Sequence, residues 1–594
     1  MKNYNWNLEA IYESTEKWSE DYAHVETLIP ALDQHKGSFS SKSGVSNIIQ
    51  TIEDSLKVKE VATKLYNYAH MKFDTELSNS NYQELMEKAV NLFQKIESKL
   101  SFFEPELLSL DNEKLEELIS HAKSTDYLEL LNEIIRYKPH TLTEKEEKIL
   151  IEASETMQGA RNIFQQLNNV DLDFGEIEVD GKKDKITHGT YQVLIKNRDR
   201  DIRKEVYEKY VGAFYSKKNT LTAIYSTSVK KDFFLAKTKN YKDCRSINLF
   251  NENIPEQVYD NLVKTVSDNI EALHEYYDLK KEVLSLKPLK AYDLSIPLVK
   301  DFDRKFKYEE ARSLVIESLS PLGKDYCSIL QNGLENEGWV DVFEKPAKRS
   351  GAYSSGCYGT YPYILMNYQE TIDSMFTLAH EAGHSMQTYY INKTQPFAYS
   401  NYSIFVAEVA STFNEYLLFD YLNKKFADDE KLINYLLNDM IETIEGTLFR
   451  QTMFAEFELE SHRIIENGGA LTVQKINEIY SALQTKYFGS SVEFEEYSWC
   501  SALRIPHFYS AFYVYKYATG ISAALSLATK VLEEQSLGKN NTLNNYLKFL
   551  SLGSSTSPLD SLKIAGIDMN SPAPIKNAID TFRALVKKLR ENLK

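Results

Sequence analysis

The 594-residue chain is long enough for several domain-sized units, and its 43% hydrophobic and 26% charged residues are ordinary for a globular protein. A net charge of −17 argues against nucleic acid as a partner, because phosphates are bound by Lys and Arg in excess, and against an anionic membrane surface. The four cysteines, Cys244, Cys327, Cys357 and Cys500, form no CxxC pair, which excludes a disulfide scaffold and a cysteine-based zinc site and fits a reducing cytoplasm.

Along the chain, the first residues contain no apolar stretch of signal-peptide length, and no apolar run anywhere reaches the roughly 18 residues of a membrane span. We therefore expect a cytoplasmic protein with no membrane partner. From Val45 to about Ala122 the pattern predicts amphipathic helices. In Glu84–Phe103, for example, Leu85, Met86, Ala89, Val90, Leu92, Phe93, Ile96 and Leu100 recur at helical spacing. Glu144–Leu167 predicts another long helix with a polar face. Asp180-Gly181, between Ile177-Glu178-Val179 and a Lys-rich run ending at Ile186, predicts a hairpin, extended by Tyr191–Leu194. Long helices resume over Asp201–Lys237. A soft boundary near residue 195 separates an N-terminal helical region with a hairpin (1–195) from a second region (196–594). The main interruption is Arg349–Tyr368, where Gly351, Gly356 and Gly359 precede a strand-like Tyr361–Met366. Pro362 predicts an edge strand there, because proline lacks a ladder donor. The helical pattern returns near Thr371 and holds almost to Lys594.

The segment His380-Glu381-Ala382-Gly383-His384 lies on that returning pattern. Histidines four apart share a helix face, with Cβ atoms about 5–6 Å apart, so two imidazoles can bind one zinc ion. Glu381 is one step round and suits a general base acting on water. Thr371 or Asp373 can cap the helix, and Ile372, Met375, Phe376 and Ala379 give it an apolar face. Gly383 is a poor helix former whose missing side chain admits a close backbone or substrate. With 11 histidines and 86 acidic residues in 594, chance supplies fewer than about 0.03 such matches.

A catalytic zinc needs a third protein ligand and one open position. Gln387 and Tyr390 stand where the metzincin extension requires Gly and His, so the ligand lies elsewhere. Glu408 is the candidate: a carboxylate among Val406, Ala407, Val409 and Ala410 needs a partner, and a metal is one. Glu415, two turns on, can accept a hydrogen bond from a ligating histidine. Further on, Pro506 suits a helix start, and Tyr509, Tyr513 and Tyr517 then fall on one stripe. Phenols there, with His507, can donate to a tetrahedral oxyanion, or the tyrosines can be core with wet hydroxyl tips.

These residues resemble oligoendopeptidase F, of the thimet-oligopeptidase-like M3 family of zinc metallopeptidases. The resemblance rests on the His380–His384 motif, on Ala407–Glu415 and on Pro506–Gly520. Gly351–Gly356, Trp6–Tyr12, Ser557–Asp560 and Ala565–Met569 support it, so it spans essentially the whole chain. It implies a mainly α, two-lobed helical shell of the neurolysin or thimet zincin type, around a deep channel that admits short unfolded peptides, with a small β-sheet near the active site. It also implies one zinc ion per chain held by His380, His384 and Glu408, with Glu381 as base and His507 aiding the transition state. In the thimet branch a tyrosine donor follows that histidine by five residues. Phe512 stands at that position here, so the donors are assigned to Tyr513 and Tyr517. Substrate is expected to lie extended along a strand near Gly351, Ala352 and Tyr353, by β-augmentation, and against Tyr509. The expected function is cleavage of internal bonds in short oligopeptides. Two other readings stay open: a zinc carboxypeptidase or dipeptidyl carboxypeptidase, with Arg504 gripping the substrate carboxylate, and a non-enzymatic helical peptide-binding scaffold.

Overall fold

The computed structural model describes residues 4–123, 125–299 and 303–594. The first three residues of the predicted N-terminal region lie outside them. Helix makes up 71% of the chain, and the strands are short, so the mainly α class follows. The chain folds into two compact units, each drawn from three segments: Met1–Thr141, Asp303–Leu422 and Leu527–Ile567 form one, Leu142–Phe302, Asn423–Ser526 and Asp568–Lys594 the other.

In the first unit, helix α1 (Gly44–Thr75) buries Ile48, Ile52, Val58, Ala62, Leu65 and Ala69 along one side. The helix predicted in Glu84–Phe103 runs over Ser80–Leu100, capped by Asn79, and buries Leu85, Ala89, Leu92, Ile96 and Leu100. Its face joins Trp6, Trp18, Leu65, Tyr363 and Leu365 in one apolar cluster. Three short strands, β1 (Val340–Asp341), β2 (Tyr353–Ser355) and β3 (Tyr363–Leu365), form a sheet in the order β1-β3-β2. Strand β3 pairs parallel with β1 and antiparallel with β2, with Ser354 opposite Ile364. The predicted edge strand is thus the central one. Pro362 falls just before the first paired residue and removes no ladder donor, and Tyr363, Ile364 and Leu365 are all fully buried. The edges belong to β1 and β2. Helix α2 (Ile372–Thr394) follows, with the Thr371 hydroxyl accepting from the Ser374 N–H at 3.1 Å. Helix α3 (Ile404–Lys425) comes next.

In the second unit, the hairpin pairs Glu176–Val179 with Lys182–Lys185 around Asp180-Gly181, both at positive φ as a tight hairpin turn requires. Tyr191–Leu194 does not extend it. Those residues close a helix, His188–Leu194, because Thr187 and Thr190 form a reciprocal capping box that outweighs the strand preference of the local side chains. The predicted Glu144–Leu167 helix breaks at Gln158 into Glu144–Met157 and Gly159–Gln166. Asp201–Lys237 becomes two helices, Arg200–Ser216 and Lys218–Thr238. Helix α4 (Arg450–Glu466) lies in this unit. The helix predicted from Pro506 fails to form. A single 3-10 turn spans Pro506–Tyr509, Phe512 sits at φ 54°, and helix α5 (Tyr515–Ser536) starts only afterwards. A left-handed residue interrupts the ladder, so Tyr509, Tyr513 and Tyr517 share no helical stripe. Among the described residues, no helix is long and apolar enough to cross a membrane.

Candidate metal centre

Glycine brings the pieces of the centre together. A Cβ on Gly383 would stand 2.5 Å from the Ala410 carbonyl oxygen and 2.7 Å from Ser411 Cα. Helix α3 therefore packs backbone against the histidine-bearing face of α2, the close approach that the bare glycine permits. The crossing is secured by Asn414, fully buried, whose amide donates to the carbonyl of Ala379 at 3.2 Å, one residue before His380.

At the crossing, His380 Nε2 and His384 Nε2 are 3.2 Å apart, and Glu408 Oε2 is 3.4 Å and 3.8 Å from them. Ligand atoms about 2.0–2.1 Å from a tetrahedral zinc stand about 3.3 Å from one another, so the three donors match a shared ion in spacing and in type. Among the described residues, this is the group of His, Cys, Asp and Glu able to hold a metal. Each donor is steered from behind. His380 Nδ1 is 2.5 Å from Glu415 Oε1, His384 hydrogen-bonds the Ala407 carbonyl, and Glu408 Oε2 accepts from the Ser411 hydroxyl at 3.1 Å. Such partners fix ring orientation and strengthen a histidine ligand.

Glu381 is 7% exposed. Burial pushes its carboxyl up to about 7. His380 opposes the rise, Glu408 adds to it, and a hydrogen bond from the backbone of Ser354 restrains it. Burial would lower His380, but the Glu415 bond and the surrounding carboxylates lift it to about 9. Burial and the neighbouring His380 depress His384 to about 4. The site thus gathers more negative than positive charge, which suits a cation.

Strand β2 lies against this helix. Ser354 Oγ is 2.8 Å from Ser385 Oγ, and the Ser354 N–H reaches Glu381, so the strand edge and the expected base are neighbours. Gly351 turns into the strand at φ 85°, followed by Ala352 and Tyr353. The Tyr353 phenol points away, donating to Asp74 at 2.7 Å. In the second unit, the exposed His507 forms a cluster with two tyrosines. Its ring stacks 6.1 Å from Tyr513, and its Nε2 is 3.4 Å from the Tyr517 hydroxyl. Tyr509 is not part of that cluster. It is 5% exposed and stacks on Phe164 at 4.4 Å.

Sequence reading missed the Ser354 N–H, the Ala407 carbonyl and the Asn414 amide. The first two are backbone groups with no residue signature. Asn414, polar within an apolar run and next to Glu415, carried a legible signal: a buried amide needs partners.

Comparison with known proteins agrees with the geometry. The model of peptidase family M3 matches residues 193–581, and that of oligopeptidase F matches residues 106–174. Oligopeptidase PepF of Bacillus subtilis is 44% identical over 590 residues, spanning 99% of this chain and 87% of its own. A crystal structure of oligoendopeptidase-F from Enterococcus faecium superposes with a TM-score of 0.73 at 32% identity, covering 97% of this chain and 99% of that one. A protein from Chlamydophila abortus superposes at 0.93 with 34% identity, covering 99% and 98%. M3 membership implies a catalytic metal, and the His380, His384 and Glu408 donors can hold one. The metal-ligand geometry, the family match over most of the chain and the near full-length relatives lead to one conclusion: the chain belongs to peptidase family M3 and is a metallopeptidase.

Proposed function

We propose that this chain is a zinc-dependent endopeptidase that hydrolyses internal bonds of short, unfolded oligopeptides, using one zinc ion per chain. One observation carries the reading. Two imidazoles and a carboxylate converge at 3.2–3.8 Å, with a buried second carboxylate, Glu381, between them and a strand edge. His380, His384 and Glu408 hold the ion, and Glu415 orients His380. Bound there, zinc supplies a Lewis acid that acidifies water and favours negative charge on the carbonyl oxygen.

Glu381 takes a proton from the attacking water and passes it to the leaving amine nitrogen. Its buried, upward-shifted carboxyl suits both halves of that exchange. Gly351, Ala352 and Tyr353 offer backbone to an extended peptide, which tolerates many side chains because backbone is what is read. His507, Tyr513 and Tyr517 are assigned as donors to the oxyanion; their mutual clustering supports this. Neither rival is favoured. The oligoendopeptidase F relatives support internal cleavage over a carboxypeptidase gripping its substrate through Arg504, and a scaffold leaves the metal donors without a purpose.

The test combines metal analysis with product analysis. One zinc per chain, lost in His380→Ala, His384→Ala and Glu408→Ala, and internal cleavage of an end-blocked peptide support the reading. Absence of zinc, or release of terminal fragments only from unblocked peptides, refutes it. A cytoplasmic location, with neither nucleic acid nor membrane as partner, belongs to the same proposal, as does a catalytic region starting near residue 196. Cell fractionation checks the first, and native proteolysis, expected to nick first near 195–200, the second.

A further inference from the structure

Strand β2 is held from both faces, and the face away from the metal is held by the N-terminal helix. Along α1, Asn67, His70 and Asp74 follow at i, i+3 and i+7 and so lie on one side of the helix. Each meets the segment that leads into β2. Asn67 Oδ1 accepts from the Ser355 hydroxyl at 3.0 Å. The His70 ring packs 5.5 Å from the Tyr353 ring, and its Nε2 is 3.0 Å from Asp74 Oδ2. Asp74 is 1% exposed and takes the most partners. Its carboxylate receives the Tyr353 hydroxyl at 2.7 Å and the Arg349 guanidinium at 3.3 Å, and its backbone carbonyl receives the Arg349 N–H at 2.9 Å. Two residues on either side of Gly351, itself at φ 85°, are thus tied to one buried carboxylate.

The alternation of a strand explains the division of labour. Tyr353 and Ser355 point their side chains to α1, while Ser354 between them points to Ser385, one turn beyond Glu381 on α2. β2 has three residues and one hydrogen-bonded neighbour, too little pairing to set its own register. We propose that Asp74 is a positioning residue: it fixes the height of β2 against α2, and with it the backbone edge presented to the peptide beside Glu381. This rests on the proposed peptide-binding role of β2, and the experiment separates the two.

The measurement is kcat and KM on end-blocked peptides of increasing length around one scissile bond, for wild type, Asp74→Ala, Asp74→Asn and Tyr353→Phe. Zinc content and melting temperature are recorded alongside. A positioning role predicts KM raised about tenfold or more on the longest peptides in Asp74→Ala and less on the shortest, with zinc unchanged and kcat within about threefold. Asp74→Asn and Tyr353→Phe, which each keep part of the network, shift KM the same way but less. Equal loss at every length, lost zinc, or unchanged KM in Asp74→Ala overturns the inference. Should Asp74→Ala not fold, Tyr353→Phe decides on the same length dependence. Peptides N-methylated next to the scissile bond test the underlying reading in wild type. If methylation leaves KM unchanged, β2 is not the peptide-binding strand, whatever Asp74 does.

Discussion

Glu381 and Gln differ by little more than a proton-accepting oxygen, so Glu381→Gln isolates the assigned base. The amide fits the same buried site, and the three metal donors are untouched. Zinc content should stay at the wild-type level while hydrolysis falls by about 10²–10⁴-fold. Wild-type turnover in this variant would remove Glu381 from the chemistry. Tyr513 and Tyr517 call for a finer test, since phenols in such a cluster can be catalytic or merely packed. Tyr→Phe at either removes one hydroxyl and almost no volume. A donor to the oxyanion should cost about 10²–10³-fold in kcat with KM little changed. A packed tyrosine should instead cost about 1 kcal/mol of stability and leave turnover intact. Turnover and thermal melting on both variants distinguish the cases. The motif was legible as a cluster because histidines four apart share one helix face, and the structure brings both imidazoles to Glu408. The burial of Tyr509 was not legible, because its stacking on Phe164 is a contact over 345 positions of chain that no local pattern encodes.

Between elements, the crossing of α2 and α3 is where a small change should have the largest effect. Gly383→Ala puts a methyl group 2.5 Å from the Ala410 carbonyl and 2.7 Å from Ser411 Cα, both backbone and unable to swing aside. Overpacking of this kind costs typically about 1–3 kcal/mol. The helices must also part, which draws Glu408 and Glu415 away from the histidines. We expect a lower melting temperature together with weaker zinc retention on dialysis against a competing chelator. Lower stability with unchanged zinc retention would show that the crossing does not hold the donors in place. The strands show the limits of local reading at this scale. Pro362 correctly marked a place where no ladder donor is available, but that place is the residue before β3, and the order β1-β3-β2 put the edges on Val340–Asp341 and Tyr353–Ser355.

For the molecule as a whole, metal binding and folding are linked, because the donors come from two helices and converge only in the folded chain. An ion that binds the native state alone stabilises it by about 4 kcal/mol at a thousand times its dissociation constant. Chelation should therefore abolish activity and lower the melting temperature, and added zinc should restore both. A melting temperature indifferent to chelator would mean that the donors hold no ion. The proposed peptide-binding role of β2 sets an expectation for substrate size. A peptide that pairs with its edge must offer an unpaired, extended backbone, which a native domain keeps inside its own sheets and helices. Short peptides should be cut internally, and rigid folded proteins should survive prolonged incubation, as gel analysis will show. Rapid degradation of a native globular protein would defeat the strand-pairing account.

Read alone, the sequence determined the helical class and singled out His380, His384, Glu408 and Glu415, side chains that the fold brings together. Each of these is a short-range pattern, or a charged residue whose apolar neighbours demand a partner. Only tertiary structure decided which strand forms the sheet edge, where Tyr509 goes and that Pro506 opens a single turn rather than a helix. The same is true of Asp74, on a helix remote in sequence, which anchors the strand beside Glu381. The reason is physical. Helical period and ligand spacing are fixed by bonds within a few residues. Edge and register are set by which strands pair, and anchorage by contacts as distant as the 279 positions between Asp74 and Tyr353, and a sequence pattern carries no record of which segments those are.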